Sequence, residues 1–188
     1  MNNYLIYGVL CFFIGFTAEH IQSHEVSATD KTQVTPSEPT YFSDDLVFND
    51  ELYTVVLRVD QQKNSDYLMT VEMLLKKNAY FVSPNSRRDF SGRFTIVWKD
   101  VNYLKLDEVL TETPLSVEEF DPHPFVKGPV NWVRVNTTYK QSLKVFSEEN
   151  FEVSGYLQFT IEPRCSLEKL PFRLSYKNGR LSAVVEGC

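Results

Sequence analysis

Residues 172–185 read FRLSYKNGRLSAVV, and the Asn178-Gly179 pair at their centre decides the class of fold. Asn-Gly between two alternating apolar runs is the strongest short signal of a β-hairpin, because a type I′ turn needs positive φ at both central positions. The turn also fixes the register, and this register places apolar residues opposite one another on one face. The expected pairs are Lys177–Arg180, Tyr176–Leu181, Leu174–Ala183 and Phe172–Val185.

Four earlier segments alternate apolar and polar residues with a period of two, which is typical of half-buried strands. Their apolar residues are Tyr53, Val55, Leu57 and Val59; Tyr67, Met69, Val71, Met73 and Leu75; Phe94, Ile96 and Trp98; and Val153, Leu157, Phe159 and Ile161. Only residues 104–110 and 116–120 offer a helical turn or two. About eight short strands with turns between them predict an all-β, immunoglobulin-like antiparallel β-sandwich.

The N-terminal part of the chain differs from the rest. Residues 4–18 are apolar and uncharged, but shorter than the roughly 20 residues that span a bilayer. They predict a signal peptide over residues 1–28, and hence a periplasmic or secreted protein; a short membrane anchor is the alternative. Residues 29–45 are rich in Thr, Ser, Pro and Asp and predict a flexible leader. The sandwich domain is then residues 46–188.

Charge and composition exclude several functions. The formal net charge is −6, and Lys and Arg form no stripe, so neither nucleic acid nor an anionic membrane surface is expected as a partner. After loss of residues 1–28, His123 is the one remaining histidine, which predicts no metal site. There is no phosphate-binding glycine loop, and we expect no cofactor.

Residues 121–129, DPHPFVKGP, hold three prolines and should form a stiff loop. One interpretation is a rigid crossover between the two sheets. The other is a loop that holds Phe125 over a functional group.

The order of several motifs resembles a known family. The motifs are KNAYFV at 77–82, FDPHPFVKG at 120–128, and FEVSGYLQFTIEPRC at 151–165, where a strand delivers a cysteine. Together they resemble the N-terminal periplasmic domain of DsbD, the thiol:disulfide interchange protein, over most of the chain after the leader.

The resemblance implies an immunoglobulin-like sandwich in which two cysteines receive electrons from a transmembrane partner and pass them to periplasmic oxidoreductases. A cap loop with a Phe shields the pair in that family. By position, Cys165 matches the first cysteine and Phe125 the cap aromatic. Asp121 matches a carboxylate near the pair, and Tyr80 matches one of two tyrosines beside the site.

The sequence departs from the family at the second cysteine, where Leu170-Pro171 stands instead. A dithiol–disulfide cycle needs two sulfurs, so the family's relay cannot run in its usual form. Cys188 is the one substitute. It would face Lys169, roughly 13 Å from Cys165 along straight strands, whereas a disulfide needs Cα atoms within about 7 Å. We expect residues 165–170 to bend, which would close the gap and permit a structural Cys165–Cys188 bridge.

Three interpretations of Cys165 stay open: a buried or partly buried inert thiol, half of a bridge to Cys188, and a reactive single thiol that forms mixed disulfides. Three functions follow. The leading hypothesis is an exported binding module for a thioredoxin-like or other envelope protein, without its own redox cycle. The second is a stand-alone thiol-disulfide oxidoreductase that uses Cys165, so enzymatic activity stays open. The third is an unrelated adhesion or carbohydrate-binding module with an exposed aromatic platform at Trp132 or Tyr139.

Overall fold

The computed structural model describes residues 45–124 and 126–184, and every regular element within these ranges is a β-strand. The strands are β1 (Leu46–Asn49), β2 (Tyr53–Gln61), β3 (Asp66–Leu75), β4 (Phe81–Val82), β5 (Thr95–Lys99), β6 (Leu104–Leu106), β7 (Thr111–Thr113), β8 (Glu118–Asp121), β9 (Gly128–Val133), β10 (Thr137–Val145), β11 (Phe151–Ile161), β12 (Ser166–Lys177) and β13 (Arg180–Ala183). The predicted signal peptide, residues 29–44 of the leader, Phe125 and Cys188 lie outside the described residues.

Two antiparallel sheets face each other across one apolar core. The first sheet has the order β1-β2-β3-β10-β6, and β7 also pairs with β10. The second has the order β13-β12-β11-β5. Inward residues from both sheets belong to the same buried cluster, so the fold is the predicted immunoglobulin-like antiparallel β-sandwich.

The C-terminal hairpin has the predicted register. Lys177 pairs with Arg180 and Leu174 with Ala183. Asn178 and Gly179 have φ of 52° and 77°, the positive values that a type I′ turn needs. The fourth expected pair involves Val185, which lies outside the described residues.

The core is aromatic at its centre. Phe94 and Tyr139 stack with ring centroids 4.2 Å apart, and Phe81 packs against Phe94 at 5.9 Å and against Phe159 at 5.7 Å. All four side chains are fully buried. Burying each large apolar side chain contributes about 1.5–3 kcal/mol, so this cluster joins the two sheets strongly.

The two segments expected to form helical turns are extended instead. Leu104 pairs with Val145 in β6, and residues 118–121 pair with β9 as β8. Isolated helices of one or two turns are unfavourable in water, whereas a neighbouring strand satisfies the backbone groups at once. No helix within residues 45–124 and 126–184 is long and apolar enough to cross a bilayer.

A smaller sheet with the order β4-β9-β8 carries the proline-rich loop. Asp121 at the end of β8 pairs with Gly128 at the start of β9, so residues 122–127 connect two neighbouring antiparallel strands. The interpretation of this loop as a crossover between sheets is therefore wrong. The backbone amides of Val126 and Lys127 donate to the carbonyl of His123 at 2.9 and 2.8 Å and close the loop.

Candidate functional site

Cys165 lies at the tip of a long hairpin. β11 and β12 pair from Phe151–Tyr176 through to Ile161–Ser166, so residues 162–165 alone make the turn. The backbone of Cys165 is left-handed, with φ of 55°, which lets β12 begin at the next residue. The side chain is exposed and carries a free thiol.

The thiol contacts a carboxylate rather than a cation. Cys165 Sγ donates a hydrogen bond to Glu162 Oε2 at 2.9 Å. This hydrogen bond, the negative charge of Glu162 and slight burial raise the pKa of the Cys165 thiol above its ordinary value. The thiolate is the nucleophile in disulfide exchange, so this environment disfavours the reactive form.

Arg164, the nearest cation in sequence, is engaged elsewhere. Its guanidinium donates to Asp50 Oδ1 and Oδ2 at 3.2 Å and to Glu168 Oε1 at 2.8 Å, and its Nε donates to Ser166 Oγ at 2.7 Å. These carboxylate contacts raise the pKa of Arg164. The positive charge therefore ties the turn to the loop before β2 and does not activate Cys165.

The carboxylates of this network are held ionised. A hydrogen bond from the Leu52 amide, opposed by burial and reinforced by Arg164, lowers the pKa of Asp50. Burial acts to raise the pKa of Glu168, but hydrogen bonds from Ser166, Arg164 and Tyr53 outweigh it and the net pKa is lowered. Burial, followed by the hydrogen bond to Glu168, raises the pKa of the Tyr53 hydroxyl. The end of the sandwich beside Cys165 is thus an ordered polar network.

Tyr80 lies beside the turn. Its backbone amide donates to the Glu162 carbonyl at 3.2 Å, and the Glu162 amide donates to the Tyr80 carbonyl at 2.9 Å. The Tyr80 ring meets the Trp132 ring edge to face, with centroids 5.0 Å apart. Cζ of Arg134 lies 4.4 Å from the Tyr80 ring centroid and 5.7 Å from that of Trp132.

Asp121 joins the same group of residues through Trp132. The indole Nε1 donates to Asp121 Oδ2 at 3.0 Å, while Asp121 Oδ1 accepts from the His123 amide at 2.8 Å. One carboxylate therefore fixes both the Trp132 ring and the start of the proline-rich loop. We call the connected set the thiol-side cluster; its members are Tyr80, Asp121, Trp132, Arg134, Glu162 and Cys165.

Three of the sequence-predicted site residues, Cys165, Tyr80 and Asp121, thus belong to one chain of contacts. Cys165 reaches Tyr80 through Glu162, and Tyr80 reaches Asp121 through Trp132. Phe125 follows four residues after Asp121 but lies outside the described residues. Sequence reasoning missed the roles of Glu162 and Arg134. A usable signal existed for Arg134, because it follows Trp132 by two positions at the end of β9 and positions two apart share a face of a strand.

One expectation for Cys165 is wrong, and the bend expected beside it is absent. The thiol is exposed, so it is not buried core packing. Residues 166–170 do not bend, because they pair with residues 161–157 as regular strand; Leu170, at the place of the family's second cysteine, faces Leu157. The bridge to Cys188 stays a prediction. Cys188 itself lies outside the described residues.

The aromatic platform expected for a carbohydrate-binding module is wrong for Tyr139. Its side chain is fully buried against Phe94. Trp132 is half-buried, Arg134 lies over its ring, and its N–H is bonded to Asp121. Within residues 45–124 and 126–184, no group of three or more His, Cys, Asp or Glu side chains is placed to hold a metal ion.

No family model matches the sequence, and no curated protein matches it. Among solved structures, the N-terminal periplasmic domain of ScsB from Proteus mirabilis is similar at 13% identity, over 71% of this chain and 49% of that one, with a TM-score of 0.46. The DsbD N-terminal domain of Neisseria meningitidis in the reduced form matches at 7% identity, over 69% and 89%, with a TM-score of 0.41. The GAE domain of GGA2p from Saccharomyces cerevisiae matches at 9%, over 71% and 98%, with a TM-score of 0.39. Likenesses of this size assign no role to any residue; the chain is an all-β sandwich of immunoglobulin-like type.

Proposed function

We propose that this protein is an exported binding module of envelope thiol-disulfide pathways, without a complete redox cycle of its own. It binds a thioredoxin-like or other envelope protein through the thiol-side cluster. The observation that carries the proposal is the packing of Tyr80, Trp132 and Arg134 beside the exposed turn of Cys165. Tyr, Trp and Arg are the residue types enriched at the energetic centres of protein interfaces.

The chemistry of Cys165 supports binding over turnover. Its thiol faces a carboxylate that raises the pKa, and the position of the family's second cysteine is Leu170 in regular strand. A mixed disulfide formed at Cys165 would lack a resolving sulfur among the described residues, where Cys165 is the one cysteine.

A stand-alone thiol-disulfide oxidoreductase is the second candidate, and one observation favours it: the thiol is exposed at the hairpin tip. Access is a requirement for exchange with another protein. On this hypothesis Cys165 is the catalytic residue, and the partner supplies the second thiol.

Calorimetry with a thioredoxin-fold oxidoreductase, whose second active-site cysteine is replaced by Ala, separates the two. We expect binding in reductant that survives Cys165→Ser and is weakened about tenfold or more by Arg134→Ala, the size of an interface hot spot. Lys140→Ala, in β10 of the first sheet, serves as the matched control. Two results would favour the oxidoreductase hypothesis. Cys165→Ser would abolish binding, and the unmodified chain would form a mixed disulfide with the oxidoreductase when reductant is left out. If neither the non-covalent complex nor the mixed disulfide forms, the proposal of a thioredoxin-like partner is contradicted.

Export is tested on the native protein. Mass spectrometry after alkylation without reductant gives the mature N-terminus and the state of Cys165 in one experiment. We expect cleavage close to residue 28 and an alkylated Cys165. An intact N-terminus in the cytoplasm would contradict the proposed location.

A further inference from the structure

The outward face of the second sheet is defined by the register of β5, β11 and β12. Three rows of cross-strand neighbours cross its centre: Lys99, Ser154 and Arg173; Val97, Tyr156 and Pro171; and Thr95, Gln158 and Lys169. Cross-strand neighbours project from the same face of a sheet. The residues between them along the strands, such as Leu157 and Phe172, are buried in the core, so the three rows face outward. We call these three rows the outer basic face.

Positive charge dominates the outward positions of this sheet. One of these positions in β5, β11, β12 and β13 carries a carboxylate, Glu152, and five carry a cation: Lys99, Lys169, Arg173, Lys177 and Arg180. The whole chain has a net charge of −6, so this side of the sandwich has the opposite sign to the molecule. No run of Lys and Arg marks it in the sequence, because separate strands contribute alternate residues.

Two exposed lysines converge on one aromatic ring at the centre of the face. Lys99 Nζ lies 5.8 Å from the Tyr156 ring centroid, and Lys169 Nζ lies 5.4 Å from it. The lysines belong to different strands and to the rows on either side of Tyr156, so both side chains lean toward the same ring. Within residues 45–124 and 126–184, neither lysine forms an ion pair with a carboxylate. Two like charges held near each other without a counter-ion make a site that an anion would stabilise.

The number of cations favours a polypeptide over a lipid surface as the source of that anion. A basic residue near an anionic membrane contributes about 1 kcal/mol, and lipid-binding clusters hold about four to eight of them. Arg173 and Lys177 share Glu152, at 3.8 and 3.7 Å, which leaves fewer cations than such a cluster needs. Tyr156, by contrast, is of a residue type that is enriched at the energetic centres of protein interfaces.

We propose that the outer basic face binds an acidic segment of a partner polypeptide. Two carboxylates of the segment pair with Lys99 and Lys169, and the chain between them packs over Tyr156. Charge complementarity of this kind selects the partner and fixes its position. The outer basic face shares no residue with the thiol-side cluster. It therefore goes beyond the partner-binding function proposed above, and neither proposal depends on the other.

A labelled peptide of alternating Glu and Gly, and the same peptide with Gln in place of Glu, form a matched pair of probes because they differ in charge alone. Fluorescence anisotropy with the full chain at low salt should show saturable binding of the Glu peptide and none of the Gln peptide. Raising the salt concentration to about 0.5 M should weaken the binding strongly, since exposed charges are then screened from one another.

Substitutions test whether the peptide lies on this face. Lys99→Gln and Lys169→Gln should each weaken binding of the Glu peptide about two- to fivefold, the size of one exposed ion pair. The double variant should weaken it by about the product of the two changes. Lys140→Gln, in β10 of the first sheet, is the charge-matched control and should change nothing. Tyr156→Ala should weaken binding about tenfold, with thermal unfolding to show that the variant is folded.

Absence of Glu-peptide binding, equal binding of the Gln peptide, or full affinity in the double variant would overturn the proposal. Vesicles of phosphatidylglycerol test the lipid alternative with the same variants. If these vesicles bind, the double variant abolishes that binding, and the Glu peptide does not bind, then the face recognises a membrane surface and the polypeptide partner is wrong.

Discussion

The Cys165 thiol donates a hydrogen bond to the Glu162 carboxylate across 2.9 Å, so the one cysteine of residues 45–184 is paired with a negative charge. Reactive cysteines in exchange proteins have the opposite surroundings, where cations or helix N-termini stabilise the thiolate. The turn thus exposes the sulfur but lowers the fraction of Cys165 that is ionised to the thiolate at neutral pH.

Replacing this carboxylate should make the thiol more reactive. Glu162→Gln removes the negative charge that raises the pKa of Cys165, so the pKa should fall toward the ordinary value. The rate of alkylation by iodoacetamide, measured against pH, should then rise at neutral pH, with its midpoint at a lower pH. Glu148→Gln, in the loop before β11, is the control. An unchanged midpoint in Glu162→Gln would show that the contact does not govern the thiol.

The Arg164 network should make stability depend on pH in the acid range. The pKa values of Asp50 and Glu168 are lowered from ordinary values of 3.8 and 4.5, so the unfolded chain binds protons more readily than the folded one. Their contribution is complete above those ordinary values and is lost as pH falls through the lower folded pKa values. Arg164→Gln should lower the urea midpoint at pH 7 and have little effect at pH 2. An equal shift at both pH values would contradict this origin.

Gly155 should tolerate no side chain. A Cβ there would lie 2.5 Å from Phe172 Cζ and 2.5 Å from the Val97 carbonyl oxygen, and the second contact is with backbone that cannot rotate away. Gly155→Ala should therefore destabilise the protein by about 1–3 kcal/mol, as overpacked cores do. Urea unfolding measures the loss. A neutral result would mean that β5 can separate from β11 without penalty.

Gly179 provides a contrasting case. Nothing lies within 4 Å of an added Cβ, but its φ of +77° is left-handed. Gly179→Ala should thus cost about 1–2 kcal/mol for backbone reasons alone. Gly179→Asn should cost less, because Asn adopts this conformation more readily. If Ala and Asn proved equal in thermal unfolding, left-handed strain would not explain the preference for glycine.

Trp132 should depend on Asp121 for its orientation. Asp121→Asn weakens the acceptor of the indole N–H, and charge-assisted hydrogen bonds are about twice as strong as neutral ones. In a Trp98→Phe background, the emission maximum of Trp132 should shift. The Trp132 ring should also become more accessible to the quencher iodide. Asp107→Asn is the control, in the loop after β6. Identical quenching in Asp121→Asn and the unmodified chain would argue against this contact.

Local signals in the sequence were sufficient for the C-terminal hairpin and the buried stripes. Asn178-Gly179 encodes its own turn, and the alternation in residues 53–59 and 153–161 reports burial directly. The segments 104–106 and 118–121 are different, because their extended form depends on β10 and β9, which are distant in sequence. No local sequence pattern indicates which distant strand each of these segments pairs with.

The function of the predicted site residues stays a prediction, and the sequence did not indicate the chemistry at the thiol. Tyr80, Asp121 and Cys165 belong to one chain of contacts, yet the residue that sets the thiol's reactivity is Glu162. Its contact depends on Cys165 adopting a left-handed backbone, a conformation that cysteine does not signal in a sequence.

The φ of 55° at Cys165 has a practical consequence for anyone who needs this protein without its sulfur. Serine would keep the backbone penalty that every ordinary side chain carries in this conformation, whereas glycine would be free of it. A thiol-free form made with Cys165→Gly should therefore melt at a higher temperature than the Cys165→Ser form. Stability of the folded backbone alone would favour glycine at the tip of this hairpin. Any advantage of cysteine at this position must therefore lie in what the folded protein does.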